Sequence, residues 1–347
     1  MKKTATYIAF SVALICSSGF AVAQDIHFSQ FTETPQLLNP GATGVYNGYM
    51  RAIVNYKNQW TAMGKAFNTE AASFDIPMFD YNQRKAHLGA GINFFNDKAG
   101  DAKFGLTQVN LCVAGIIPVS MLSTFSMGVS IGGAQHKADM NSLVWGNQFN
   151  GETFDPSINS NEGTPVNSFV YADIGAGLYY EYNSGKATIE RNEAKRFGIG
   201  VAYYHINRPT QKYFSVTQKL DAKLVATMSG SFDKTGTKFS IMPSAMFAMQ
   251  GKSMEITAGC AVRYRIKNGT KITGFYSESG IAIGINYRYK DAVIPQVFYE
   301  VKDFGIGISY DLNISSYREA SHYNGGAEIS LKYFIQKGAL FKQKNMM

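Results

Sequence analysis

Phe304-Gly305-Ile306-Gly307-Ile308-Ser309-Tyr310-Asp311-Leu312-Asn313-Ile314 is the stretch that decides the fold. Every even position is large and apolar, and every odd position is Gly, Ser, Asp or Asn. A strand points successive side chains to opposite faces, so this segment has one greasy face and one small, polar face. Its length matches the roughly 9–11 residues of a tilted strand that crosses a membrane. A soluble sheet could use the same pattern with its apolar face on a core. One strand does not separate the two solutions, but the number of such strands does.

The alternation recurs along the chain. Phe125, Met127, Val129 and Ile131 oppose Ser126, Gly128, Ser130 and Gly132. Met254, Ile256, Ala258, Cys260, Val262 and Tyr264 oppose Glu255, Thr257, Gly259, Ala261, Arg263 and Arg265. Ile281, Ile283, Ile285 and Tyr287 oppose Ala282, Gly284, Asn286 and Arg288, and near the end Ile329 and Leu331 oppose Glu328 and Ser330. Counting such segments gives about fourteen strands, an even number, as antiparallel transmembrane barrels have. The second face carries Glu255, Arg263, Arg265, Arg288, Glu300, Asp311 and Glu328. Burying those charges in a dry core without pairing would cost several kcal/mol each. A watery lumen on that face, with lipid on the other, removes the cost. A two-sheet soluble sandwich predicts the same alternation. The tyrosines at strand ends (Tyr287, Tyr289, Tyr299, Tyr310, Tyr333) instead suit interfacial girdles.

Composition points the same way. The 347 residues are 45 % hydrophobic, 14 % aromatic and only 17 % charged, against about 25 % charge in soluble domains. Lys2 and Lys3, the apolar run 7–16 and Ala21-Val22-Ala23 read as a secretory signal over 1–23. Its removal takes two lysines and lowers the formal charge from +8 to +6. An exported basic chain does not imply a nucleic-acid partner. Cys112 and Cys260, the two cysteines beyond the signal, do not make a disulfide framework. No later apolar run reaches the ~18 residues of a helical span, so the membrane solution left is a closed barrel. Residues 24–48, with Pro35 and Asn39-Pro40-Gly41, form a turn-rich lead segment that, with Asn58-Gln59-Trp60, is expected to plug or brace the periplasmic side of the barrel. The barrel spans 49–336 and is interrupted by a polar loop over 137–167; 337–347 form a basic tail.

Chemistry-bearing motifs are sparse. The Gly-x-Gly pairs at 89/91, 175/177, 198/200 and 305/307 lack the third glycine and the helix of a dinucleotide loop. They read as lumen wall, where glycine lets another chain approach closely. The five histidines lack metal-ligand spacing, and no Gly-x-Ser-x-Gly elbow occurs. Counting onward from the strand before it, His205 falls on the outward face and reads as an interfacial residue. No catalytic group, cofactor or metal is expected.

Five motifs in order resemble a known family. They are Phe28-Ser29-Gln30-Phe31; Asn39-Pro40-Gly41-Ala42-Thr43-Gly44; Tyr56-Lys57-Asn58-Gln59-Trp60; Tyr310-Asp311-Leu312-Asn313; and Gly325-Gly326-Ala327-Glu328-Ile329-Ser330-Leu331. They are similar to the signatures of the PorP/SprF family, across nearly the whole chain after the signal. The resemblance implies a non-enzymatic outer-membrane component of the type IX secretion system of Bacteroidetes. It also implies partners: outer-membrane lipids, cargo with a distinct class of C-terminal domain, and periplasmic lipoproteins of the machine. Some members serve gliding motility. On this basis Arg263, Arg265, Arg288, Asp311 and Glu328 are expected to meet cargo in the lumen. The alternative is a channel for small hydrophobic or polar solutes.

Overall fold

The computed structural model describes residues 25–60, 67–79, 85–100, 102–138, 143–161, 168–184, 194–213, 216–267, 279–316 and 318–336. The signal over 1–23 and the basic tail lie outside the described residues. The strands are β1 (Gly48–Gln59), β2 (Phe67–Met78), β3 (His87–Ala99), β4 (Phe104–Pro118), β5 (Ser123–Lys137), β6 (Phe169–Asn183) and β7 (Lys195–Tyr204). Then come a small hairpin of β8 (Thr210–Tyr213) and β9 (Val216–Lys219), β10 (Lys223–Asp233), β11 (Phe239–Gln250) and β12 (Ser253–Lys267). The last are β13 (Ser279–Arg288), β14 (Ala292–Val301), β15 (Phe304–Asn313) and β16 (Asn324–Gln336). Fourteen of them close into one antiparallel barrel, with the β8–β9 hairpin outside the ring and β7 paired directly to β10. The seam is β1 against β16, where Tyr56 faces Ile329 and Lys57 faces Glu328.

The alternation has the orientation a membrane requires. Leu111, Ile131, Ile283, Ile285 and Ile308 are 57–62 % exposed. Asn55, Ser126, Glu181, Asn286 and Ser309 are buried, facing the interior. A soluble sandwich would bury the first set, so the alternative of a dry two-sheet core is excluded. No described helix is long and apolar enough to cross a membrane. In β14 the ladder to β15 skips Ile294 and Pro295, between Val293↔Leu312 and Gln296↔Ser309. Proline has no N–H to give there.

Inside the ring lies the lead segment. It runs as three helical turns, Phe31–Glu33, Pro35–Leu38 and Pro40–Ala42, before entering β1. The barrel has two mouths. The near mouth holds the start of β1 and the end of β16; the far mouth holds the end of β5, the start of β6 and the β8–β9 hairpin. Asp25 sits toward the far mouth, beside Gln250 and Lys223. The segment therefore traverses the lumen before the first strand begins. Phe28 packs with Ala71 and Phe95 on β2 and β3, whereas Phe31 packs with Val225 and Met246 on β10 and β11. Ile53, which breaks the alternation of β1, is buried on the inner face.

Small residues make room for this filling. A Cβ at Gly128 would strike the carbonyl of Pro40, and one at Gly177 would strike the Asn39 side chain. Overpacking of this kind costs about 1–3 kcal/mol. Gly128→Ala is expected to unseat residues 39–44 and to expose the segment to trypsin in detergent. Gly133→Ala, at a position open to solvent or lipid, should leave proteolysis unchanged.

Candidate functional site: the plugged lumen

The plug is held chiefly by polar groups of β13, β15 and β16. Glu328 accepts from the backbone N–H of Ser29 (2.6 Å) and of Gln30 (3.1 Å), one oxygen to each. The Gln30 side chain donates to Ser309 Oγ (3.1 Å) and to the Glu328 carbonyl (3.0 Å), and it accepts from Ser330 Oγ (2.7 Å). Ser29 Oγ donates to Asp311 Oδ2 (2.9 Å), and Asn286 donates to the Ser29 carbonyl (3.3 Å). Arg288 pairs with the same Asp311 oxygen and with Asp291. The fully buried Lys57 lies 3.8 Å from Asp311 and donates to the His27 carbonyl at 3.2 Å. Alternation alone turns these wall residues inward, and each meets a counter-charge or a plug amide.

A second anchor sits where the plug turns into β1. Asn39 Oδ1 accepts from Gly41 N–H (2.8 Å), while its amide donates to the Leu178 carbonyl (2.9 Å). This asparagine shapes the turn and ties it to β6 at once. Pro40 follows, fixing φ for the short helical turn. Arg51 forks onto Asp75 at 2.9 and 2.7 Å, and Asp75 also accepts from Gly44 N–H at 2.8 Å. The Arg51 guanidinium lies 4.6 Å over the Tyr46 ring.

A third anchor is His205. Its Nδ1 meets Asp173 at 2.8 Å and its Nε2 meets Asp25 at 2.7 Å, with Lys223 3.5 Å from Asp25. This corrects the expected outward, interfacial placement: His205 is buried in the lumen. The strand ends at Tyr204, and His205 takes φ +56°. A left-handed residue breaks the two-residue period on which the outward assignment depended.

The sequence-singled residues divide accordingly. Asn39 and Pro40 belong to the plug; Asp311, Glu328 and Arg288 hold it. Arg265 pairs with Asp233 at 3.3 Å, and Arg263 pairs with Glu300 at 2.9 Å. Asn58 contacts Asn68, and Trp60 N–H donates to the Gly325 carbonyl (2.9 Å), which joins the ends of β1 and β16. Tyr310 points outward, its hydroxyl donating to Asn324 at 2.8 Å. Periodicity missed Asp25, Asp75 and Asp173 as anchors. The inward phase of Asp75 and Asp173 was readable, but not their partners, and Asp25 lies outside any strand.

Two of the cavities beside the plug lie toward opposite mouths. One of about 200 Å³ on the near-mouth side is lined by Glu33, Arg51, Arg196, Arg263, Glu300 and Lys332. Its charges are internally paired: Arg196 with Glu181 (2.7 Å) and Lys332 with Glu33 (3.2 Å), beside the pairs above. The other, of about 380 Å³, opens at the far mouth around His27, Trp60, Glu255 and Arg288. Lys57, burial and the cations Arg288 and Lys223 hold the His27 imidazole well below its ordinary value. It is therefore neutral, and its 4.0 Å approach to Glu255 is not an ion pair.

The His205 anchor makes seating of the plug pH-dependent. Burial opposes the imidazolium, but Asp25 and Asp173 outweigh it and raise His205 from 6.5 to about 9. Burial likewise opposes the Asp25 carboxylate, but Lys223 and His205 hold it well below the ordinary carboxylate range. A raised pKa stabilises fully below its unfolded value and is lost as pH climbs through the folded value; a depressed carboxylate does the reverse. Anchoring of the Asp25 end is thus strongest between about pH 4 and 6.5. Amide exchange at residues 25–28 should quicken beyond the intrinsic rate as pH rises from about 6.5 through 9. His205→Gln should abolish that alkaline limb.

The description "Type IX secretion system membrane protein PorP/SprF" matches residues 21–333. No curated protein matches the chain. Among solved structures it is similar to the TodX deltaS2S3 mutant monoaromatic hydrocarbon channel (9 % identity, TM-score 0.46, covering 87 % of this chain and 93 % of that one). It is also similar to the CymD monoaromatic hydrocarbon channel (9 %, 0.44, 90 % and 94 %). A third is the translocator domain of autotransporter NalP from Neisseria meningitidis (10 %, 0.40, 87 % and 94 %). The family match runs from the plug through the last strand, so the chain belongs to the PorP/SprF family of type IX secretion system membrane proteins, an outer-membrane barrel.

Proposed function

We propose that this protein is a non-enzymatic accessory of the type IX secretion system that docks cargo carrying a specific C-terminal domain and helps to export or anchor it. The observation that carries this reading is the plug. Residues 28–44 fill the middle of the lumen with buried polar and apolar contacts to β2, β3, β5, β6, β10, β11, β13, β15 and β16. A wall committed to its own chain suits a docking platform better than a solute channel. The cavities on either side are ligand-sized recesses, not two halves of a bore.

Cargo contact shifts accordingly. Of the five lumen residues expected to meet cargo, Asp311, Glu328 and Arg288 serve the plug, and Arg265 is buried against Asp233. Arg263, lining the near-mouth cavity beside Glu300, is the member placed for an outside partner. Periplasmic lipoproteins of the machine would approach the near mouth, where a barrel's termini ordinarily face the periplasm.

Deleting the gene is expected to remove a defined set of proteins from the cell surface, read by surface proteomics; an unchanged set would refute the proposal. In planar bilayers the purified protein should be silent, and a variant lacking residues 25–44 should conduct. Steady conductance by the intact protein would favour a channel. Arg263→Ala should weaken cargo pull-down several-fold without loss of barrel.

A further inference from the structure

The far-mouth cavity holds an unusual pair of atoms. Asp311 Oδ1 and His27 Nε2 both line it, both are buried, and neither has a hydrogen-bond partner among the described residues. Asp311 itself is only 1 % exposed. Its other oxygen is crowded: Ser29 Oγ, Arg288 and Lys57 all converge on Oδ2. The plug thus saturates one side of this carboxylate and leaves the other aimed into the cavity. A buried acceptor left without a donor costs about 1–3 kcal/mol, and more when charged. A well-packed site retains that cost where a donor arrives from outside.

The charge around the cavity specifies the donor. Three carboxylates line it, Glu255, Asp291 and Asp311, against one guanidinium, Arg288. Arg288 is already shared between Asp291 and Asp311. Even with Lys57 counted behind Asp311, acid exceeds base. Among the described residues Glu255 accepts from the Thr257 hydroxyl at 3.2 Å and lies 4.0 Å from the neutral His27. Trp60, Tyr289 and Met254 add apolar lining beside these acids. About 380 Å³ falls in the range of small-molecule sites, roughly 300–1,000 Å³. Among the described residues no three His, Cys, Asp or Glu side chains come together as metal ligands. The lining calls for several donors, a positive charge and an aliphatic stem.

We propose that the far-mouth cavity binds an organic cation, an ammonium or guanidinium head on an aliphatic stem, with Asp311 Oδ1 and Glu255 receiving its hydrogen bonds. Trp60 and Tyr289 flank the stem, and cation–π contact adds to the grip. The head is presented either by a lysyl or arginyl side chain of a peptide or by a free diamine. The inference rests on the cavity alone and stands whether or not the protein docks cargo.

The test is calorimetric titration of the intact mature protein in nanodiscs. The probes are Nα-acetyl-lysine methylamide, Nα-acetyl-arginine methylamide, cadaverine, the neutral Nα-acetyl-norleucine methylamide and magnesium chloride. At least one cationic probe is expected to bind saturably and at least tenfold more tightly than the norleucine analogue, with no response to magnesium. Tighter binding of the peptide analogues assigns a peptide source, and tighter binding of cadaverine a free amine. Asp311 also supports the plug, so the deciding variants are Glu255→Gln and Asp291→Asn. Each should weaken the cationic probe at least threefold while heat-modified gel mobility stays unchanged. No saturable binding, equal binding of the norleucine analogue, binding of magnesium alone, or variants that bind as wild type would each overturn the proposal.

Discussion

The structure depends on one constraint: charges that strand alternation turns inward must be satisfied inside the ring. Lys57, Arg288, Asp311 and Glu328 lie on inner faces of β1, β13, β15 and β16 and are nearly inaccessible to solvent. Leaving one partner of such a buried set unpaired costs roughly 3–5 kcal/mol. They satisfy one another only in part. The remainder comes from the Ser29 and Gln30 amides and the Ser29 hydroxyl. The plug completes an electrostatic network that the wall begins.

The apolar contacts follow from where this network holds the chain. With Ser29 and Gln30 fixed against β15 and β16, Phe28 reaches β2 and β3 and Phe31 reaches β10 and β11. Two phenylalanines flanking a polar pair brace opposite walls of the lumen. The glycines of β5 and β6 then let the Asn39–Gly41 backbone come closer than any side chain would allow. The Phe-Ser-Gln-Phe and Asn-Pro-Gly motifs are thus two parts of one fitting. The first is held by charge and aromatic bulk, the second by backbone approach to bare wall.

Much of this was legible. The two-residue period set the count of barrel strands and the inward phase of Asp311, Glu328, Arg263 and Arg288, because lipid and water impose opposite demands on the two faces. The partners were not legible. Ser29 and Glu328 are 299 residues apart, and no local pattern records which inward carboxylate meets which plug amide. The β8–β9 hairpin escaped because four-residue strands carry too little alternation to stand out. His205 was assigned to the wrong face because one left-handed residue past β7 ended the regular count. Ile53 is apolar on the otherwise polar inner face of β1, where it is buried in the plugged lumen.

The seam shows why plug and barrel form together. β1 and β16 are the most distant strands in sequence, so their pairing has the largest loop-closure cost of the ring. Lys57 and Glu328 are directly opposed across that seam. Glu328 takes the Ser29 and Gln30 amides, and Lys57 donates to the His27 carbonyl. The plug is covalently continuous with β1 and grips β16, so seating it brings the two seam strands together. Closing the seam in turn supplies the acceptors that hold the plug. A barrel closed without its plug would leave Glu328 to lumen water in place of the Ser29 and Gln30 amides. A plug without the seam would have no wall to bind.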